Sequence, residues 1–374
     1  MYKTLREECI FSPRADILES GFKLGLNEVL QGVNLDNLEI FSGNGEKNWQ
    51  KIEDENRGNI KFASEVAVSR MVESIGDPYT AVLNRADMEK DKMLSTSGKF
   101  SGIGVELAWK NGLVVVGTLP GSPAQQAGLQ SGDLIRTVDG QSLQGLSFYR
   151  AGDLLTGAAG SRATLNIIRD GKSKIIEVNR ASLSLPKVCS QVLSEDLGYI
   201  KVGYFSPKTS EEVYAELSKL KEKGVKKLIL DLRSNPGGDF KEGLRTAAIF
   251  RKGELVLVKN RHGVRRMKNG YEPSFAGPLA VLINRGTASS AEIVSVSLKG
   301  GENVMLFGER TFGKGLIQTL YSLPGGSGLR VSTGTYLSKI GQPIHNVGVS
   351  PDVEVNGKND ALEVAKKFLS DAGL

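Results

Sequence analysis

The stretch Leu279-Ala280-Val281-Leu282-Ile283-Asn284-Arg285-Gly286-Thr287-Ala288-Ser289-Ser290-Ala291-Glu292-Ile293 changes character halfway along. Leu279–Asn284 opens as an unbroken apolar run of strand length, the pattern of a strand buried on both faces of a parallel sheet. Gly286-Thr287-Ala288 turns the chain tightly, and Ser290–Leu298 reads as a helix. Strand, turn and helix in immediate succession predict an α/β crossover, with reactive loops at strand C-termini. Ser289 stands just before that helix, where free backbone N–H groups suit an oxyanion. Ser289-Ser290-Ala291-Glu292 also satisfies the S-x-x-E capping box, and taken alone the motif reads more readily as helix initiation.

Outward from this point the alternation continues. Tyr199–Tyr204 and Lys227–Leu232 read as strands. Ser210–Lys223, with Val213, Leu217 and Leu220 on one side, and Glu242–Phe250 read as helices, and Asp360–Leu369 as a closing surface helix. Between residues 98 and 182 the texture is short β runs. Gly102–Leu107 and Leu113–Gly117 flank an Asn111-Gly112 turn, and Ser122-Pro123 opens a helix that Gly128 stops. Leu134–Val138, a second helix over Phe148–Thr156, and the hairpin Ala163–Arg169, Asp170-Gly171, Ser173–Asn179 complete the unit. Segment 1–97 is largely helical. Ile17, Leu18, Phe22, Leu24, Leu26 and Leu30 recur at helical intervals, Glu65–Ile75 continues the pattern, and polar Glu89–Lys99 reads as a linker. The expectation is a mixed α/β, multidomain chain divided at 1–97, 98–182 and 183–374, which suits its 374 residues.

Composition narrows the functional classes. Net charge is +6 and spread along the chain, which does not by itself imply nucleic acid. With 40% hydrophobic residues, wholesale disorder is excluded. No apolar run approaches the ~18 residues of a membrane span, and charges interrupt the first dozen residues, so no signal-peptide core is expected. The two histidines, His262 and His345, leave no basis for a histidine-rich metal site. Cys9 and Cys189 match no metal or redox motif; a bridge between them and two buried thiols are both open. Arg261, Arg265, Arg266 and Lys268 form a basic stretch that reads as a solvated hairpin face.

Two further segments carry candidate chemistry. Thr311-Phe312-Gly313-Lys314-Gly315 sets a lysine between glycines, which other backbone can approach closely, with Phe312 and Leu316 flanking it. Gly308–Lys314 fits the front of a phosphate-binding loop. Gly315, however, replaces the magnesium-binding Ser or Thr, and a strand over Leu316–Leu323 replaces the helix, so that reading fails. As a general base for a serine, Lys314 needs its pKa brought from ~10.4 to ~7–8, which costs about 4 kcal/mol of desolvation. Asp231-Leu232-Arg233-Ser234-Asn235-Pro236-Gly237-Gly238 ends a strand in consecutive glycines able to expose N–H groups, or simply forms a turn.

Taken together, these segments resemble the carboxyl-terminal processing peptidases, S41-family serine proteases of the tail-specific and photosystem D1-processing type. The resemblance runs over residues 77–353 through Asp77-Pro78-Tyr79-Thr80, Phe100–Val105, Gly128–Ile135, Asp231–Gly238, Gly286–Ile293, Thr311–Gly315 with Gln318, and Gly348–Val353. It implies a Ser289 nucleophile and a Lys314 base, with Gln318 orienting the lysine and Glu292 in support. It implies oxyanion donors in the N–H of Ser290 and of Gly237 or Gly238. Residues 98–182 resemble a PDZ domain, with Ser101-Gly102-Ile103-Gly104 at the position of the carboxylate-binding loop. A helical segment, a PDZ domain and an α/β Ser–Lys protease core then make up the fold. The partners implied are protein or peptide substrates with accessible C-termini, membrane proteins admitted and nucleic acid not, with room for an oligomer. No cofactor or metal is required. Such relatives work outside the cytoplasm, in the bacterial periplasm or thylakoid lumen. A silent PDZ-containing scaffold is the competing reading. Four positions depart from the family pattern: Ser290-Ala291 for Ala-Ser, Ser234 for Asn, and Thr156 where a basic residue is common, the last of which points to altered gating.

Overall fold

The computed structural model describes residues 1–30, 35, 40–41, 45–56, 58, 60–119, 121–184, 188–355 and 360–371. Its centre is a six-stranded sheet in the order Cys189–Val192, Leu197–Lys201, Lys227–Asp231, Leu279–Ile283, Val304–Gly308, Val353–Glu354. The first pair is antiparallel and the rest run parallel. Leu279–Ile283 is buried at every position, as its continuous apolar run requires of a strand covered on both faces. Helices Thr209–Glu222, Phe240–Phe250 and Ser290–Leu298 cover one face, burying Val213, Leu217, Ile249, Ile293 and Val294 against Leu228, Leu230 and Val281. Helix Ala361–Asp371 closes the other over Ile229, Ala280 and Phe307. Because the strands are parallel, the loops 232–239, 284–289 and 309–315 all leave from one edge of the sheet.

A second sheet, with strands Ala81–Leu83, Gly328–Ser338, Gly253–Asn260 and Gly263–Asn269 in that order and Leu316–Ser322 also paired to Gly328–Ser338, leans against the first. The basic stretch lies on its outer hairpin, where Arg266 and Lys268 pair with Glu254. The N-terminal helices pack on the back of Gly328–Ser338, where Leu5, Leu18, Phe22, Leu26 and Met71 enclose Leu329 and Val331. Of the helical-period residues in Ala15–Val29, Leu18, Phe22 and Leu26 are buried, while Ile17 and Leu24 face solvent.

The middle sheet runs Val105–Trp109, Leu113–Thr118, Leu134–Val138, Arg162–Arg169, Lys172–Asn179. Asp170 and Gly171 both take positive φ, 51° and 74°, the stereochemistry of a tight hairpin turn. Ser122 caps the helix Pro123–Gln126 as expected, accepting from Gln125 N. A ribbon of Lys99–Gly102 with Ala181–Ser184 joins this unit to the rest.

Several expectations change. Polar Glu89–Lys99 is mostly helix, not linker: Arg85–Ser97 starts at an Asn84–Asp87 capping box and stops at Gly98 in the left-handed region. Gly102–Leu107 is broken at Gly104, whose positive φ of 80° interrupts the strand. The helix from Phe148 ends at Asp153. Cys9 is buried, Cys189 exposed, and both are free, so neither a bridge nor a buried pair forms.

The helix pair Ala15–Val29 and Ile60–Glu73 depends on close backbone approach. A Cβ on Gly25 would lie 2.4 Å from Ala67 Cα, and one on Gly21 2.7 Å from Arg70 O. Gly25→Ala adds about 1 kcal/mol of helix propensity, yet overpacking a rigid backbone costs about 1–3 kcal/mol. Thermal unfolding is expected to show a net loss of stability; a raised midpoint would refute the close-packing account.

Candidate active site

The turn after Leu279–Ile283 is held from both sides. Thr287 Oγ1 donates to Leu232 O at 2.8 Å and accepts from Asn284 N, while Ala288 N donates to Asn235 O at 2.9 Å. On the far side Phe312 N donates to Thr287 O at 3.0 Å. The turn delivers Ser289 at φ 53°, ψ −120°, a conformation that a non-glycine residue adopts only under such bracing. Asn235 is fully buried, donating to Val202 O and accepting from Gly237 N, and so shapes the glycine loop beside the serine. A Cβ on Gly237 would lie 2.6 Å from Ser289 Cβ and 2.8 Å from Ser290 N, so only glycine lets the two loops touch. Gly238 lies against Phe205, where a Cβ would come within 2.1 Å of the carbonyl oxygen. Ser290 turns its hydroxyl to Gly238 O at 2.9 Å.

Glu292 joins the serine turn to the lysine loop. Its carboxylate is fully buried and accepts from Thr311 Oγ1 at 2.5 Å, Gly313 N at 2.7 Å, Lys314 N at 2.8 Å and Ser289 N at 2.9 Å. Burial pushes the carboxyl up to about 7, and these donors oppose the shift. Tyr336 adds a second tie, its hydroxyl lying 2.9 Å from Ser289 O and 2.6 Å from Lys314 O. The glycines around Lys314 are packing requirements too. Gly313 abuts the backbone of Asn346–Gly348, and Gly315 abuts His345, whose Nδ1 is buried without a partner among the described residues.

The lysine amine does not reach the serine. Nζ of half-buried Lys314 lies 5.2 Å from the ring centre of Tyr79 and 5.7 Å from that of Phe148, and no hydrogen bond joins it to Ser289. Burial draws its pKa below the ordinary lysine value; Glu106 and Glu292 oppose the change and Arg330 adds to it. The rings over the amine are thus Tyr79 and Phe148, not Phe312, which stacks under Lys110 at 5.4 Å. Gln318 faces elsewhere as well, with Nε2 3.5 Å from Ser332 Oγ across the strand pair. A bulge between Ile317 and Gln318 breaks the simple alternation by which residues 314 and 318 would share a face.

The middle sheet covers the site. Ala108 and Val116 bury Ala288, and Glu106 on the same strand faces Lys314, its carboxyl raised by burial to about 7. Arg330 latches the arrangement, donating to Tyr149 Oη at 2.9 Å and to Asp91 at 2.5 Å. Sequence reasoning assigned no role to Glu106, Phe148, Tyr149, Arg330 or Tyr336, because each gains its meaning from a neighbour distant in the chain. Ser101 donates to Gly157 O at 2.6 Å and Gly102 bridges to Thr156, closing one end of the groove between Val105–Trp109 and the helix Phe148–Asp153. The Ile103 and Gly104 carbonyls are taken by Ala124 N and Leu119 N. Thr156, just past the helix, donates to Asp153 O at the helix end.

Glu292→Gln tests the clamp. The amide presents two hydrogens where the structure supplies only donors, and burying that mismatch costs about 3 kcal/mol. Calorimetry should show the core melting about 6–12 °C lower; an unchanged midpoint would show that the carboxylate does not hold the loops.

Comparisons with known proteins identify the family. The family description "Peptidase family S41" matches residues 196–355, and "PDZ domain" matches residues 114–169. The C-terminal processing peptidase, chloroplastic, of Tetradesmus obliquus is 34% identical over 313 residues, covering 78% of this chain and 67% of the relative. The carboxy-terminal processing protease CtpA of Bacillus subtilis is 34% identical over 294 residues, covering 77% of this chain and 63% of the relative. The solved photosystem II D1 C-terminal processing protease superposes with a TM-score of 0.71 at 29% identity, covering 91% of this chain and 93% of its own. The chain belongs to peptidase family S41, as a PDZ-containing serine-type peptidase of the C-terminal processing group.

Proposed function

We propose that Ser289 is the nucleophile and Lys314 the general base of an endopeptidase that cleaves proteins near their C-termini. One observation carries this reading: a single buried carboxylate, Glu292, binds the backbone N–H of both residues, so the two loops form one frame. Neutral Lys314 takes the Ser289 proton as Oγ attacks the scissile carbonyl, returns it to the leaving amine, and then activates the water that releases the acyl group. Ser290 N–H, at the start of its helix, supplies one oxyanion donor. Gly237 N–H is already held by Asn235 Oδ1 at 2.9 Å, whereas Gly238 N–H has no acceptor among the described residues, which favours Gly238 as the second. The separation of Lys314 from Ser289 fits a resting state with the PDZ unit docked. On undocking the amine leaves its rings, and Gln318 turns from Ser332 to orient it.

Ser101–Gly104 receives the substrate's terminal carboxylate, with the Ile103 and Gly104 N–H groups free of described acceptors. Kinship with the chloroplast and bacterial enzymes supports a workplace outside the cytoplasm, in the periplasm or thylakoid lumen.

An unfolded protein with an apolar C-terminus, followed by intact mass, tests the dyad. Ser289→Ala and Lys314→Ala should each lower kcat/KM by at least about 10³-fold while retaining the fold; cleavage that survives Ser289→Ala would sink the mechanism. The pH profile adds a second check. The rate should rise with pH as Lys314 loses its proton, with the acid limb centred below the ordinary lysine value, because burial favours the neutral amine. Lys314→Arg keeps the charge without a removable proton and should be inactive across the range.

A further inference from the structure

Tyr79 sits at a junction that neither the motif containing it nor the dyad explains. Its turn is rigidly anchored to the core. Asp77 accepts from Tyr79 N and from Thr80 Oγ1, and Thr80 Oγ1 accepts from Ser332 N at 3.2 Å on the central strand of the second sheet. The side chain is 4% exposed, and burial pushes its hydroxyl up to about 12, so it stays a neutral phenol.

From that anchor Tyr79 makes three contacts. Trp109 N–H donates to its hydroxyl at 2.9 Å. Its ring lies 5.1 Å from Phe148, the first residue of the helix lining the PDZ groove, and 5.2 Å from Lys314 Nζ. Val105–Trp109 is the edge strand of the middle sheet, paired on one side only, with Leu113–Thr118. Trp109 N–H therefore points to the open edge, where an added peptide strand would pair. Tyr79 already holds that position, as a stand-in for the ligand backbone.

We infer that Tyr79 is the residue through which a substrate C-terminus on the PDZ edge releases Lys314. The inference rests on the reading of Ser101–Gly104 as the carboxylate site and of Lys314 as the base. A peptide whose carboxylate lies at Ser101–Gly104 runs antiparallel along Val105–Trp109 toward the catalytic loops. At about 3.3 Å per residue, the four steps from Val105 to Trp109 span about 13 Å, so the fifth residue from the C-terminus reaches Trp109. There it takes the N–H from Tyr79 and wedges between Tyr79 and Phe148, and the two-ring face that holds the lysine comes apart. Shorter ligands fill the carboxylate end and leave Tyr79 in place. Occupancy of the groove is in this way read by length.

The test compares Tyr79 with Tyr79→Phe, which keeps the ring and removes only the acceptor for Trp109 N–H. Binding is measured by calorimetry in full-length Ser289→Ala protein, so that no peptide is cut. The probes are a three-residue and a seven-residue peptide with apolar, free C-termini, and the seven-residue peptide amidated. The seven-residue peptide is expected to bind Tyr79→Phe about three- to tenfold more tightly, because its competitor for one hydrogen bond is gone. The three-residue peptide should bind both proteins equally. In the enzyme with Ser289 intact, the seven-residue peptide should stimulate hydrolysis of a C-terminally amidated unfolded substrate several-fold, and the three-residue peptide should not. Equal affinity of the long peptide for both proteins, or equal stimulation by both lengths, overturns the role of Tyr79 while leaving the PDZ reading intact. If the amidated peptide binds as well as the free acid, or no peptide binds, the carboxylate site itself is wrong and this inference falls with it.

Discussion

The arrangement of the active site hangs on one buried carboxylate. Glu292 takes the backbone N–H of Ser289, Gly313 and Lys314 and the hydroxyl of Thr311, so one side chain closes two loops that leave adjacent parallel strands. An isolated carboxylate in such a position would be expelled or protonated. Four short donors offset that cost, and hydrogen bonds to a charged group contribute about 1.5–3 kcal/mol each. The main chains of Ser289 and Lys314 are held by the same carboxylate, which makes no hydrogen bond to the lysine amine.

The rest of the core explains why that frame tolerates strain. Ser289 keeps an unfavourable backbone conformation because Leu232, Asn235 and Phe312 bind the turn that precedes it and Tyr336 lies against its carbonyl. Gly237 lets the neighbouring loop come into contact, where any Cβ would strike the serine. At the far end of helix Ser290–Leu298, Lys339 donates to Lys299 O at 3.1 Å and Arg251 reaches Leu298 O at 3.5 Å, setting two cations at the negative end of the helix dipole. Both ends of the helix are thus electrostatically defined, and its start is fixed relative to the sheet.

The PDZ unit acts on this frame through surfaces of different chemistry. Ala108 and Val116 make a dry contact with Ala288. Phe148 and Tyr149, adjacent on one helix, address the lysine amine and Arg330 respectively. Glu106 brings a carboxyl toward the same amine and favours its charged form, in opposition to the burial that disfavours it. Each of these contacts is small, and all of them join the PDZ unit to the core.

What was legible in the sequence were the features set by local rules. The continuous apolar run Leu279–Ile283, the Ser122-Pro123 cap and the Asp170-Gly171 turn each follow from a pattern of burial or backbone stereochemistry a few residues long. The ordered motifs carried the family in the same way. Helix Arg85–Ser97 was hidden because its surface is polar and its capping box and Gly98 stop outweigh a weak apolar period. The direction of Gln318 was hidden by a one-residue bulge, which no composition announces. The position of the Lys314 amine, between Tyr79 from the core and Phe148 from the PDZ helix, was decided only by how the PDZ unit packs against the core. The sequence by itself determined which residues could do chemistry and on which strand ends they stand, because periodicity and turn stereochemistry act locally. Only the tertiary structure decided that the Lys314 amine is held away from Ser289, because a cation between two rings depends on surfaces far apart in the chain.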